Sequence, residues 1–333
     1  MAATTTPAAA STTASRREGP RLEIGQELIL LVALTVVIGV LALTSERFFT
    51  VENLLNQGRL LTEVGLIALP MTFIIVTGGI DLSVGSIMGL CAILLGYGWK
   101  NLGLPLELAI LLTLLVGTAA GFVNGLVVTR MGVPPLIATI ATLALYRGLA
   151  EGISQARSVR GYPDWFLALG QGELLGVPSQ LWLLAFAILA FGIVLARTRF
   201  GRSLYAIGHN ETAARFSGIP VDGIKLAIYA LSGFVAALAA CIFVSRVSTT
   251  RSDMGSGIEL DVIAAVVLGG TSIFGGVGTI WGTVLGVVLI QLLKNGLALT
   301  GVKGDATIVV IGTVLILSIL ITNLLQRRKG VEG

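Results

Sequence analysis

Asp81 is the residue of this 333-residue chain with the clearest capacity for chemistry in an apolar setting. It follows Gly78 and Gly79 and precedes Ser83 and Ser86 in a largely hydrophobic stretch. An ionisable side chain placed there can carry a proton or line a polar pathway. The same carboxylate can instead cap the next helix by accepting a backbone N–H two or three residues further on. We favour the cap, and a cap beside a pathway would serve both purposes.

A second candidate site lies in residues 197–225, the longest well-charged segment of the chain. It carries five cations against two anions, Glu211 and Asp222. Residues 210–216 have the pattern of a short capped helix, and Gly218 is placed to end it. A short helix in a charged segment offers a surface on which a partner protein can push.

Enzyme motifs are missing from the sequence. There is no G-x-x-x-x-G-K-[S/T] loop for ATP and no HExxH or GxSxG motif. The single histidine, His209, excludes histidine-rich metal sites and has no nucleophile–base partner in the sequence pattern. Cys91 and Cys241 lie in apolar runs, where small buried side chains are expected. We therefore predict no catalytic residue, no metal site and no cofactor bound by this chain itself.

The composition places these candidates in a membrane. Hydrophobic residues make up 55% of the chain and charged residues 12%, whereas soluble domains have about 25% charged residues. A spanning helix needs about 20 mostly apolar residues. We predict an all-α, polytopic integral membrane protein with about ten transmembrane helices and Gly-broken internal repeats. The predicted spans are Ile24–Leu43, Leu60–Thr77, Leu82–Trp99, Leu106–Val128, Val133–Ala150, Leu181–Ala196, Leu226–Ser245, Glu259–Gly270, Gly278–Leu297 and Ala306–Leu325.

The domain organisation follows from these spans. Residues 1–22 are predicted to be a disordered tail, residues 23–326 the transmembrane domain and residues 327–333 a basic tail. An even number of crossings puts both termini on one side of the membrane. Clusters of Lys and Arg at both termini and within residues 197–225 favour the cytoplasmic side. Residues 151–180, predicted as the longest stretch without a helix, would then form a periplasmic loop.

The glycine-rich segment around Asp81 has an echo late in the chain. A Gly pair followed by G-[S/T]-I-x-G occurs within residues 78–89 and again within residues 269–282. Paired Gly-interrupted segments point to a transport pathway in membrane transporters. Asn124 and Asn295 are amides in apolar runs, suited to a neutral polyhydroxylated solute or to hydrogen bonds between helices. The predicted translocation pathway consists of Gly78, Gly79, Asp81, Ser83, Ser86, Asn124, Gly270 and Thr271.

Three motifs resemble those of one known family. Residues 77–86 read TGGIDLSVGS, residues 264–282 read AAVVLGGTSIFGGVGTIWG, and residues 208–218 follow the pattern G-x-N-x-x-A-A-x-x-S-G. With these motifs the chain resembles the permease subunits of bacterial ABC importers for monosaccharides, which include ribose, xylose, rhamnose and autoinducer-2 permeases. The resemblance extends from about Leu28 to Leu325.

The resemblance implies a channel-forming subunit, and no enzyme, that moves a neutral monosaccharide from the periplasm across the bacterial inner membrane. The implied sugars are a pentose, a deoxyhexose such as rhamnose, or an autoinducer-2-like sugar. The implied partners are a second permease subunit, identical or paralogous, a periplasmic sugar-binding protein and an ATPase with two nucleotide-binding domains. ATP would bind to that ATPase. A coupling helix would contact it through Gly208, Asn210, Ala213, Ala214, Arg215, Ser217 and Gly218.

Two other functions fit the same sequence. An ion-coupled secondary carrier would need a carboxylate deep in a helix, and Asp81 is the candidate. An ABC permease for a non-sugar solute, such as a branched-chain amino acid, would need an intramembrane cation to compensate a charged substrate. Arg147 and Lys294 are the candidates for that cation. Uptake by the chain alone, driven by an ion gradient, would identify the carrier.

Overall fold

The computed structural model describes residues 26–301 together with residues 309, 312 and 313. In that part of the chain the helices are α1 Gln26–Thr44, α2 Val51–Val76, α3 Val84–Gly96, α4 Leu106–Arg130, α5 Pro135–Ser154, α6 Asp164–Gln171, α7 Ser179–Arg197, α8 Arg199–His209, α9 Glu211–Phe216, α10 Val221–Val247, α11 Ile258–Leu268 and α12 Ile280–Leu299. Between α6 and α7, the two-residue strands β1 (Glu173–Leu174) and β2 (Val177–Pro178) pair in antiparallel orientation.

Six of the described helices are long and apolar enough to cross a membrane, namely α2, α4, α5, α7, α10 and α12. The predicted all-α, polytopic membrane fold is confirmed. Helices α2 and α10 bury most of their length inside the bundle, whereas α4, α5 and α7 expose most of theirs. Exposed apolar faces of this kind suit contact with lipid chains or with another transmembrane helix.

Two predicted spans have a different form in the structure. The segment predicted from Leu82 to Trp99 becomes α3, 13 residues long, which continues into a π-helix from Tyr97 to Asn101. The segment predicted from Glu259 to Gly270 becomes α11, whose 11 residues extend about 16 Å, short of a hydrocarbon core of about 30 Å. Hydropathy alone includes Gly269 and Gly270 in the predicted span, but helix α11 ends at Leu268, just before them. The predicted span Ala306–Leu325 lies outside the described residues, apart from residues 309, 312 and 313.

The two stretches predicted mainly as loops contain helices. In residues 151–180, α5 continues to Ser154, and α6 and the small hairpin follow. In residues 197–225, α8 precedes α9. The hydroxyl of Thr198 caps α8 by accepting the backbone N–H of Gly201 at 3.1 Å. Helix α8 was not predicted because it is short and amphipathic and lies within the charged segment of residues 197–225.

Small residues allow α4 and α10 to pack closely against each other. A Cβ atom added to Gly121 would lie 2.1 Å from the carbonyl oxygen of Tyr229, so the two backbones approach to a distance that only glycine permits. Small side chains are the usual means by which helices approach closely in lipid. Cys91 and Cys241 are buried and free, as the sequence predicted.

Candidate functional site

Helix α9 is short and capped at both ends. Asn210 Oδ1 accepts the backbone N–H of Ala213 at 2.9 Å, which satisfies a free donor of the first turn. After the helix, Gly218 has a φ of 81° and the N–H of Ile219 donates to the carbonyl of Ala214 at 3.1 Å. This left-handed turn favours glycine. The predicted capped helix and its end at Gly218 are confirmed.

Helix α9 presents one large apolar side chain to the outside. Ala214 is buried against the bundle, whereas the phenyl ring of Phe216 is 89% exposed. Ala213 and Ser217, also among the predicted coupling residues, lie on the exposed side. A single exposed aromatic on a charged surface resembles the anchor residues on which protein interfaces depend.

Four charged side chains hold α9 to the beginning of α10. Arg215 donates to Asp222 (Nη1–Oδ2, 3.0 Å) and to Glu211 (Nη2–Oε1, 3.1 Å), and the Lys225 ammonium donates to Glu211. Partial burial alone would raise the pKa of Glu211, but the cations Lys225 and Arg215 outweigh it and hold that pKa below its ordinary value. Because Asp222 and Lys225 belong to α10, a displacement of α9 would be transmitted to that helix.

The two glycine-rich segments of the sequence meet beside α8. The first break, residues 77–83, separates α2 from α3, and the second, residues 269–279, separates α11 from α12. The N–H of Gly276 donates to the carbonyl of Val76 at 2.8 Å and joins the two breaks. The internal echo thus corresponds to two helix–break–helix units in direct contact.

Helix α8 is fixed to this junction by two contacts. The phenol of Tyr205 donates to the carbonyl of Gly278 at 2.6 Å. A Cβ atom on Gly208 would lie 1.9 Å from the carbonyl oxygen of Val76 and 2.3 Å from the nitrogen of Gly276, so no larger residue fits. Gly208, predicted as a coupling residue, therefore connects α8 to both breaks.

Asp81 is the centre of a buried hydrogen-bonded cluster. Its Oδ1 accepts the N–H and the hydroxyl of Ser83 at 2.9 and 2.6 Å, and its Oδ2 accepts the hydroxyl of Ser232 at 3.3 Å. Asn124 donates to the Ser83 hydroxyl at 2.7 Å, and Ser86 donates to the Ser83 carbonyl at 2.8 Å. The predicted bond from the Ser83 N–H is present, but Ser83 itself occupies the N-cap position of α3, so Asp81 closes the turn before the helix and does not cap it. Among the ion pairs of the described residues, none includes Asp81.

The predicted pathway residues therefore fall in two places. Gly78 and Gly79 belong to the first break and Gly270 and Thr271 to the second, while the other four form the cluster around Asp81. None of the eight lines the large cavity that opens elsewhere in the bundle. Their role in a pathway remains a prediction.

This cavity has a volume of about 790 Å³ and lies between the first halves of α2 and α11 and the last turns of α10 and α12. Helix α10 has 27 residues, about 40 Å, so the cavity and α9 are at opposite ends of the bundle. We call these the cavity end and the α9 end. The polar residues of the described wall are amides (Asn53, Asn56, Gln57, Gln291, Asn295), charged groups (Glu63, Arg246, Arg251, Asp253, Asp261, Lys294) and two hydroxyl residues (Thr249, Ser256).

Four of the wall amides join α2 to α12 in a hydrogen-bonded chain, which we call the amide ladder. Asn53 and Asn295 donate to each other at 3.2 and 2.8 Å, and Gln291 donates to Gln57 at 2.7 Å. Gln57 in turn donates to Asn53 at 3.4 Å. Of these residues the sequence reading singled out Asn295 alone. The i, i+4 spacing of amides in two apolar helices, 53/57 and 291/295, was the signal that could have found all four.

Two ion pairs stand beside the ladder. Arg246 binds Glu63 through both nitrogen–oxygen contacts, Nε–Oε1 at 2.7 Å and Nη2–Oε2 at 3.1 Å. Lys294 pairs with Asp261 across α12 and α11. The Glu63 side chain is only 5% exposed, so this bidentate pair is largely removed from water.

Comparisons with known proteins agree on one family. The sequence profile described as "Branched-chain amino acid transport system / permease component" matches residues 51–319. The autoinducer 2 import system permease protein LsrD of Yersinia enterocolitica is 38% identical, over 92% of this chain and 97% of its own length. The ribose import permease proteins RbsC of Haemophilus influenzae and Bacillus subtilis are 36% and 40% identical, over 94% and 92% of this chain and 99% and 94% of their own lengths. No solved structure matches this chain.

Proposed function

Because this chain belongs to the family of branched-chain amino acid transport system permease components, we propose that it is the channel-forming subunit of an ATP-driven importer for a neutral monosaccharide. The observation that carries the proposal is the match to ribose and autoinducer 2 import permeases over nearly the whole length of both chains. A shared fragment would support only a shared fold, whereas a match of this extent supports a shared role. The substrate would be a pentose, a deoxyhexose or an autoinducer-2-like sugar.

The chain is a multi-pass protein of the inner membrane, and the α9 end would face the cytoplasm. Residues 197–225 at that end hold five Lys and Arg in one segment, and the basic segments at both termini would lie on the same side. The cavity end, together with α6 and the small hairpin, would then face the periplasm. A periplasmic sugar-binding protein would deliver its ligand there.

Helix α9 would be the coupling helix that contacts a separate ATPase with two nucleotide-binding domains. Its capped ends keep a six-residue helix intact, and the exposed Phe216 offers an apolar anchor for a cleft in the partner. ATP would bind to the ATPase, and this chain would supply no cofactor site and no catalytic residue. A second permease subunit, identical or paralogous, would complete the channel.

The route from α9 to the cavity would follow α10. The Arg215–Asp222 contact ties α9 to the first turn of α10, and Arg246 near its last turn binds Glu63 on the cavity wall. Movement of α9 by the ATPase would tilt α10 and change the width of the cavity. Such a shift between two arrangements is how alternating access operates around a fixed site.

Reconstitution into proteoliposomes tests the proposal. The chain is measured for uptake of labelled ribose, xylose, arabinose and rhamnose, with and without its ATPase, ATP and binding protein. We expect uptake of one of these sugars only with the full set. Uptake of leucine by the full set, with no uptake of any sugar, would move the chain to the amino-acid branch of the family.

An ion-coupled carrier remains the second candidate because Asp81 is fully buried without an ion-pair partner in the described part of the chain. Its carboxylate is occupied instead by Ser83 and Ser232, which supports the structural role. If that role is correct, Asp81→Asn keeps most of the ATP-driven uptake because asparagine retains an acceptor for the Ser83 N–H. A carrier would lose gradient-driven uptake in the same variant while its expression stayed normal.

A further inference from the structure

The described wall of the cavity is largely apolar, and the charged groups set into it balance one another. Six of the described wall residues are charged, three acids and three bases, and they pair with one another: Glu63 with Arg246, Asp261 with Lys294 and Asp253 with Arg251. A charged ligand that separated Glu63 from Arg246 or Asp261 from Lys294 would leave a charge uncompensated in a partly enclosed space. The wall therefore suits a solute that carries hydroxyl groups and no charge.

The amide ladder leaves hydrogen-bonding groups free for such a solute. Within the described residues, Gln291 uses one N–H for Gln57, while its second N–H and its carbonyl oxygen have no protein partner. Gln57 donates one N–H to Asn53, and its second N–H has no partner among the described residues. Asn56, on the same wall, makes no side-chain hydrogen bond to the described protein. Because an amide both donates and accepts, these groups can meet sugar hydroxyls in either orientation.

The size of the cavity is consistent with a small ligand. Its volume of about 790 Å³ falls in the range of about 300–1,000 Å³ that ligand sites usually occupy. The cavity lies at the beginning of α2 and the end of α12, the two helices that the amide ladder joins. These helices also meet deeper in the bundle, where the hydroxyls of Thr72 and Thr283 lie 2.7 Å apart.

From this arrangement we propose that the cavity is a binding site for the transported neutral sugar, in which Gln57 and Gln291 of the amide ladder hydrogen-bond to its hydroxyl groups. The proposal rests on the proposed function and adds the place and the chemistry of recognition within the permease. Sugar released by the binding protein would replace its hydrating water with hydrogen bonds to these amides before the periplasmic side of the pathway closes.

The test compares two double substitutions between the same pair of helices. Gln57→Met with Gln291→Met removes both partners of the Gln57–Gln291 hydrogen bond at nearly constant shape. It also removes the longer bond from Gln57 to Asn53, but Asn53 Oδ1 still accepts from Asn295. Thr72→Val with Thr283→Val does the same outside the cavity and is the control. Each is assembled with ATPase and binding protein in proteoliposomes, with the neutral sugar that the unaltered importer takes up fastest. Both the sugar imported and the ATP hydrolysed are measured.

We expect the Gln57/Gln291 variant to import about tenfold less sugar per ATP hydrolysed, while loaded binding protein still stimulates its ATPase. The Thr72/Thr283 variant should match the unaltered importer. Gln291→Glu, which keeps the length and the acceptor but adds an unpaired charge, should also lower the ratio and serves if the double variant does not assemble. An unchanged ratio in both cavity variants, or an equal loss in the threonine control, overturns the site and leaves the importer function standing. No uptake of any neutral sugar by the unaltered assembly overturns the proposed function, and this site with it.

Discussion

The α9 end and the cavity end both contain ion pairs, and two of these pairs, Arg215–Asp222 and Arg246–Glu63, lie in different surroundings. At the α9 end the side chains of Arg215 and Asp222 are 46% and 38% exposed. At the cavity end those of Arg246 and Glu63 are 18% and 5% exposed. Water and salt screen the first pair, so it contributes little to stability, whereas the second cannot lose one member without leaving a poorly solvated charge. The difference indicates that the α9 cluster positions a helix and that the cavity pair supports the fold.

The sharpest test of this contrast is Arg246→Met, which leaves Glu63 without its cation. We expect a loss of about 3 kcal/mol in stability, at the low end for one member of a buried pair, because the cavity admits some water. The readout is the thermal unfolding of the purified permease in detergent. The double variant Glu63→Met with Arg246→Met should recover most of the loss. If the single variant melted with the unaltered protein, the two ends would not differ as we describe.

Phe216→Ala should affect the other end in the opposite sense, with binding lost and stability kept. Truncation of an aromatic anchor typically costs about 2 kcal/mol or more of binding free energy, which weakens the affinity for the ATPase at least about thirtyfold. Because the ring is 89% exposed, thermal unfolding of the permease alone should not change.

The matched control for Phe216 is Phe49→Ala, another exposed phenylalanine, which lies just before α2. Affinity for the ATPase is measured by co-purification and titration of the two proteins in nanodiscs. An equal loss of affinity in both variants would remove the assignment of α9 as the coupling helix.

Arg215→Ala is expected to separate positioning from stability. The variant should unfold at nearly the same temperature as the unaltered chain because exposed ion pairs contribute little. It should import less sugar per ATP hydrolysed because the Arg215–Asp222 contact is lost and only the Lys225–Glu211 contact still joins these charged groups of α9 to α10. Arg202→Ala, the removal of an exposed cation from α8, is the control. A large drop in melting temperature would show that the charged cluster of α9 contributes to stability, as the Glu63–Arg246 pair does.

The smallest expected effect is the pH response of α9. The pKa of Glu211 is held below its ordinary value in the folded chain, so its contribution is complete above the unfolded pKa and is lost as pH falls through the folded one. A spin label attached to the cysteine of a Thr212→Cys variant should therefore show the same mobility at pH 8 and at pH 5, which is about one unit above the unperturbed pKa of a glutamate. Its mobility should increase on strong acidification. Cys91 and Cys241 are buried and should not take the label. A change in mobility near neutral pH would contradict the lowered pKa of Glu211.

Much of the fold was accessible from the sequence because its main determinants are local. Runs of apolar residues long enough to span predicted the principal helices, and cap residues such as Asn210 and Gly218 predicted α9. Prediction was poorest where local signals conflict. Glycines within an apolar run lengthened the predicted span at α11, and the charges of residues 197–225 hid the amphipathic α8.

The candidate site was predictable only in part. The residues of the coupling motif are consecutive, and the short helix that they form was visible in the sequence. The cavity was missed, since its walls join residues that no local pattern connects. Asp81 and its bond from the Ser83 N–H were predicted from the sequence, but its contact with Ser232 was not, because Ser232 lies on α10, 151 positions further along.

The sequence by itself determined that the chain lies in a membrane as helices, because burying backbone polar groups in lipid leaves few alternatives to long apolar helices. It also determined the caps and breaks at which those helices end. Only the tertiary structure decided which polar groups meet, such as Asn53 with Asn295, 242 positions apart, and Glu63 with Arg246, 183 apart. Those partnerships follow from the way the helices pack, which depends on small residues and on the shapes of the facing surfaces. Hydropathy drives insertion into the membrane, but it does not distinguish one apolar helix from another as a packing partner.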